Sequence, residues 1–139
     1  MYRASRSAFT MIELIFVIVV IGILASIAMP KLWVTRTDAI IAKGRAEVST
    51  IRSAIATIRQ KNLLEGNASY PSALEDTGEN LFANLLDYGM ASDTTPGHWS
   101  KSGNRYVYHI DRDTNATFEY NATTGKFNCI SGDCTSLTH

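Results

Sequence analysis

Apolar and polar positions divide this chain into stretches with different rhythms. From Phe9 to Met29 almost every position is apolar, and Glu13 is the single charged residue among those 21. Coiled as a helix, that run would be about 31 Å long, the thickness of a bilayer's hydrocarbon core. Beyond it, Ile41, Gly44, Val48, Ile51, Ile55 and Ile58 recur at three- and four-residue steps. That spacing predicts one helix over 30–62 with a single apolar face. Pro30 lacks the N–H that would bond the Ser26 carbonyl, so a kink is expected there. Residues 63–98, punctuated by Gly66, Pro71, Gly78, Gly89, Pro96 and Gly97, read as a connecting region. Within it, Glu79 to Leu86 suggests a short helix turning Leu81, Phe82, Leu85 and Leu86 inward. After Trp99 the period drops to two. Segments 105–110, 116–120 and 126–130 predict a three-stranded antiparallel meander, with Tyr106, Tyr108 and Ile110 on one face and Val107 and His109 on the other. So small a sheet is marginal alone and must lie on the long helix. The expected fold is α+β: a long N-terminal helix, membrane-spanning in its first half, packed against a small antiparallel head at 99–139.

Charge gives the apolar run a direction. Arg3 and Arg6 precede it, which keeps the N-terminus cytoplasmic and sends the remainder outward. A carboxylate inside such a segment is costly and marks a functional site with a partner. Ala8-Phe9-Thr10-Met11-Ile12-Glu13-Leu14, followed by the apolar run and Pro30, resembles the signature of type IV prepilins and type II secretion pseudopilins. The likeness is close over the first 35 residues and general beyond them. It implies that residues 1–8 are a leader, that a prepilin peptidase cuts between Ala8 and Phe9, and that the new Phe9 amine is methylated. Alanine stands before the cut where the family usually has glycine. The resemblance further implies a bacterial inner-membrane subunit with its head in the periplasm. An assembly platform with an ATPase would build such subunits into a periplasmic or surface filament, and Glu13 would serve assembly. Two alternatives compete. Ser26-Ile27-Ala28 offers a small-x-small cut for an ordinary secretory signal, but the run is too long and would leave Pro30 just past the cut. The other is a membrane-tethered or secreted binding protein, such as a minor pilin that contacts DNA or cargo; a plain tether would need neither leader cleavage nor Glu13.

Composition trims the remaining classes. The 13 basic and 13 acidic side chains balance, and losing Arg3 and Arg6 with the leader leaves 11 against 13, or −2. No basic stripe points to nucleic acid on that chain. His98, His109 and His139 are scattered and assemble no catalytic set, so no enzyme is expected. Cys129 and Cys134, close in sequence in an exported segment, are read as a disulfide. Their spacing does not match a redox Cys-x-x-Cys, and no histidine pair completes a zinc site.

No cofactor is expected, with calcium the one candidate, because related major pseudopilins bind it in a C-terminal loop. Asp111, Asp113, Asn115 and Asp133 offer oxygens, but the D-x-D-x-N run lacks the glycine and distal glutamate of an EF-hand, and a solvated turn is the better reading. The Asn-x-Ser/Thr triplets at Asn67, Asn115 and Asn121 each have an acid two residues upstream: Glu65, Asp113 and Glu119. Chance would place three such acids about once in a thousand chains of this composition. The extended pattern resembles the acceptor of bacterial N-glycosylation, in which an arginine-lined pocket of the transferase reads the acid.

Overall fold

The computed structural model describes residues 9–78 and 80–138, with the side chains of 29–34 outside that description. Helix α1 spans Met11–Leu64, and four strands follow: β1 (Trp99–Ser102), β2 (Arg105–His109), β3 (Asn115–Asn121) and β4 (Lys126–Gly132). A short α2 (Cys134–Thr138) closes the order. The chain forms two compact units, 1–36 and 37–139, and α1 contributes to both. Pro30 lies within the assigned span of α1, and its side chain is outside the described set.

Both ends of α1 are capped by their own sequence. Thr10 and Glu13 form a capping box at the start, described below with the site. At the other end Gly66 takes φ 84°, its N–H bonds the Leu63 carbonyl (3.1 Å), and the Asn67 N–H reaches back to Asn62 (2.8 Å). Those two bonds form a Schellman close, which needs the left-handed conformation that glycine adopts without a Cβ penalty.

In the second unit, residues 37–64 of α1 bury one stripe. Val48, Ile51 and Ile55 are covered, with Ile40 and Ile41 packed at the margin. The stripe meets a sheet of order β1-β2-β3-β4, antiparallel throughout. Tyr106, Tyr108 and Ile110 face inward as the alternation predicts, joined by Trp99, Ala116, Phe118 and Phe127. Aromatic rings interlock across this layer, with Phe118 stacked on Phe127 at 5.0 Å and Trp99 5.0 Å from Tyr108. Gly44 allows the close approach: a Cβ there would lie 2.5 Å from Tyr108 Cε1 and 2.8 Å from Leu137 Cδ2. Polar ties finish the joint, since the Trp99 indole donates to Glu47 (2.9 Å) and the Tyr108 hydroxyl to the Ile40 carbonyl (2.8 Å).

Three expectations need correction. The meander has four strands, because Trp99–Ser102 pairs with β2 across a turn at Gly103 and Asn104. Its Ser-Lys-Ser run carries no apolar alternation, so pairing rather than patterning makes it a strand. Strand β4 runs on to Gly132 through a bulge between Thr117 and Phe118, which leaves Ile130 as the extra residue, 44% exposed.

Residues 80–86 do not form a helix. Leu81 bridges Met90, and Phe82 takes φ +61° in a turn closed by the Leu85 and Leu86 N–H groups on the Phe82 carbonyl. Glu79, where that expectation began, lies outside the described residues. The inward assignments hold: Leu81 and Phe82 are buried, with Leu85 and Leu86 packed on the core. Buried Glu75 accounts for the odd backbone. Its Oε2 accepts the Phe82 N–H (3.1 Å), and its Oε1 accepts the Tyr106 hydroxyl (2.8 Å) and the Lys101 ammonium. Left-handed backbone at a bulky residue costs about 1–2 kcal/mol, which full burial of the Phe82 ring offsets.

Candidate functional site

The first unit is defined by what it leaves uncovered. Met11–Ala28 has a mean hydropathy of 2.8, and none of it is buried within the chain. By length and composition it can cross a membrane. Its thirteen large apolar side chains, from Met11 to Ile27, all stand exposed. At about 1.5 kcal/mol each, covering them is worth on the order of 20 kcal/mol, more than the net stability of a typical domain. A lipid or protein environment must supply that cover.

At the head of this span sits the acid. The Glu13 N–H donates to Thr10 Oγ1 (3.3 Å), while Glu13 Oε2 accepts from both the Thr10 N–H and the Thr10 hydroxyl, each at 2.9 Å. This reciprocal pair satisfies donors that a helix start otherwise leaves orphaned, and it sets a carboxylate against the positive end of the helix dipole. The carboxylate thus has a partner inside its own chain. The reading of Glu13 as a lone acid missed Thr10, although Thr-x-x-Glu before an apolar run is a recognisable cap signature. Phe9 is 80% exposed, leaving its neighbourhood open to an enzyme, and Ala8 lies outside the described residues.

The prokaryotic N-terminal methylation motif matches residues 3–29, spanning the basic leader, Glu13 and the apolar run. Over 126 residues the chain is 31% identical to the type IV major fimbrial protein FimA of Dichelobacter nodosus, covering 86% of this chain and 75% of that one. The chain belongs to the type IV pilin family. A second FimA sequence of the same organism is 29% identical over a similar extent. The type II secretion system core protein G of Pseudomonas aeruginosa is 28% identical over 103 residues, 74% of this pilin and 65% of that protein. No solved structure matches this chain.

The remaining sequence candidates of this pilin lie in its head, away from Glu13 in sequence. Cys129 in β4 and Cys134 at the start of α2 are joined by a disulfide, with Cα atoms 5.6 Å apart. The bond ties the last strand to the helix that carries buried Leu137. Asp133 caps α2: its Oδ1 accepts the Ser136 N–H (3.2 Å) and the Thr135 hydroxyl, and its Oδ2 accepts the Ser136 hydroxyl. Those bonds hold its carboxyl below the usual range. Asp111 turns back on the Arg112 N–H (2.7 Å), and Asp111, Asp113 and Asn115 are exposed. Among the described residues no group of three or more His, Cys, Asp or Glu side chains is assembled for a metal. His98 and His109 make separate contacts, with Thr95 and Ser100 respectively. His139 lies outside the described residues. Asn67, Asn115 and Asn121 are all exposed residues but sit in different backbone settings.

Proposed function

We infer that this chain is a structural subunit of a type IV pilus or type II secretion pseudopilus, built into a helical filament through its N-terminal helix. The observation that carries the reading is the uncovered apolar helix Met11–Ala28 with one capped acid at its head. The subunit is stored in the bacterial inner membrane through residues 9–29, with its head on the periplasmic side. A prepilin peptidase removes residues 1–8 and methylates the Phe9 amine. An ATP-driven platform in the inner membrane then draws the helix from lipid into a bundle of like helices. Heterologous contacts of this kind do not close into a ring and so propagate a fibre. No step asks the subunit for catalysis.

Within the bundle, Glu13 exchanges part of its capping for the amine of a neighbour's Phe9. An ion pair in low dielectric gains little net energy, because desolvation cancels most of the attraction. Its use is to set the axial register between subunits. Glu13→Ala and Glu13→Leu are therefore expected to insert and be cleaved as the native chain is, with few or no filaments by electron microscopy. Glu13→Gln keeps a carboxamide oxygen for the cap without the charge, and is expected to fail in the same way. Filaments of native number and length in Glu13→Ala would remove the assembly role. Mass spectrometry of the purified protein separates this subunit from a simple tether: a methylated Phe9 terminus supports it, and a start at Met1 or Met29 counts against it.

A further inference from the structure

We propose that Asn67 and Asn121 are acceptors for an N-linked glycan in the folded head, and that Asn115, nearly identical in local sequence, is withheld by its strand. The three triplets share alanine at the middle position, and each has its acid two residues upstream: Glu65-Gly-Asn67-Ala-Ser69, Asp113-Thr-Asn115-Ala-Thr117 and Glu119-Tyr-Asn121-Ala-Thr123. Local chemistry does not separate them. Backbone setting does.

Asn67 follows the Schellman close of α1, in an exposed run from Glu65 to Ser69. Its Oδ1 accepts the Ser69 N–H (3.1 Å), folding the triplet into a turn on its own side chain. Asn121 ends β3 and does the same, its Oδ1 accepting the N–H groups of Thr123 (2.9 Å) and Thr124 (3.2 Å). Residues 121–124 and Glu119 are exposed. In both turns the hydrogen bonding engages the carboxamide oxygen, so the nitrogen that would carry a sugar is not tied up by it.

Asn115 opens β3 opposite His109, and its carbonyl accepts the Asp133 N–H (2.9 Å); Ala116 and Thr117 then continue inside the ladder, whereas in the other strand-end triplet only Asn121 is paired, opposite Lys126. The next residue, Ala116, is fully buried in the core. Bending that triplet into an enzyme cleft would require stripping β3 from β2 and β4. The two open triplets, by contrast, belong to adjoining loops. The Tyr120 hydroxyl donates to the Pro71 carbonyl (2.7 Å), and the Tyr70 ring lies against Gly125. Both glycans would therefore crowd the same end of the head.

The donor is a polyprenyl-pyrophosphate-linked oligosaccharide. The asparagine nitrogen attacks its anomeric carbon, forming a C–N bond as the C–O bond to pyrophosphate breaks. Polyprenyl pyrophosphate leaves with the electron pair, and the amide proton passes to a base of the transferase. Glu65 and Glu119 supply the negative charge that a cationic pocket on the transferase would bind.

The test uses the purified, folded full-length chain in detergent micelles. It is incubated with an acid-requiring bacterial oligosaccharyltransferase and a polyprenyl-pyrophosphate-linked glycan of known mass. Intact mass is expected to rise by two glycans, and peptide mapping to place them on Asn67 and Asn121. Glu65→Ala and Glu119→Ala should each lower occupancy at their own site at least tenfold, while Asp113→Ala changes nothing. Modification of Asn115, an unmodified Asn67 or Asn121, or occupancy indifferent to the two glutamates overturns the proposal. Filament assembly plays no part in the readout, so the assignment stands or falls apart from the assembly reading.

Discussion

Residues 11–28 and 37–64 belong to one helix, and both carry many large aliphatic side chains, yet they solve opposite problems. The second stretch concentrates its apolar residues on one stripe and covers them with its own sheet, so Val48, Ile51 and Ile55 are at most 2% exposed. The first spreads them around the whole circumference, and none of it is buried. Periodicity, more than hydrophobicity, is what distinguishes the two. A stripe can be satisfied by one intramolecular partner, whereas an all-round apolar helix needs lipid or several neighbouring helices. Polar chemistry divides the same way. In the head, the buried Glu75 carboxylate is met by designated partners, Tyr106, Lys101 and Phe82. The span has one acid, held by one threonine.

The sharpest test of this contrast is Glu13, whose removal should abolish filaments while leaving thermal unfolding of the head unchanged. Phe118→Ala should do the reverse. It opens a cavity among Phe127, Trp99 and their neighbours and should cost about 3–5 kcal/mol. In a domain of this size that lowers the melting temperature by roughly 15–30 °C, read by circular dichroism on the full chain in detergent. Ile18→Ala in the span should not move that transition; a comparable shift would break the division drawn here.

Glu75→Ala comes next. It strands the Tyr106 hydroxyl and the Phe82 N–H without an acceptor, for about 2–3 kcal/mol, and Glu75→Gln should recover part of the loss. Exchanging both Cys129 and Cys134 for serine should cost about 2 kcal/mol by chemical denaturation, since the closed loop is short. Thiol labelling of the unfolded, unreduced protein should find no free thiol.

The smallest effect concerns His109, half-buried in β2 with its Nε2 2.8 Å from Ser100 Oγ. Desolvation pushes its pKa below the ordinary value, with Asp93 opposing. The unfolded chain therefore takes up the proton first. Stability is fully present above about pH 6.5 and falls as pH drops through the folded value. His109→Gln should flatten the melting temperature over that window, and an unchanged slope would exclude His109 as its source.

How much was legible varied with how local the cause was. The membrane run, the helix stripe, the inward tyrosines of β2 and the cysteine pair follow from periodicity and short spacing, which a single strand or helix expresses alone. Thr10 as the partner of Glu13 was equally local, and its Thr-x-x-Glu signature was in plain view. Strand β1 was not legible, because Ser100, Lys101 and Ser102 become strand only by pairing with Val107, Tyr106 and Arg105. Nor was the turn at Phe82, whose helix-compatible sequence is overridden by a carboxylate seven residues away and by aromatic packing.

The sequence by itself determined that this chain has an apolar helix it cannot bury and a small head that it can, because hydrophobic period depends only on the order of residues. The tertiary structure decided which backbone groups pair and which loops adjoin. It therefore also decided that Ile130 bulges outward, that Phe82 turns left-handed, and that the Asn115 triplet runs inside a strand while the Asn121 triplet leaves β3 for a turn and the Asn67 triplet lies outside any strand. Hydrogen-bond partners distant in sequence make those choices, and residue order alone does not name them.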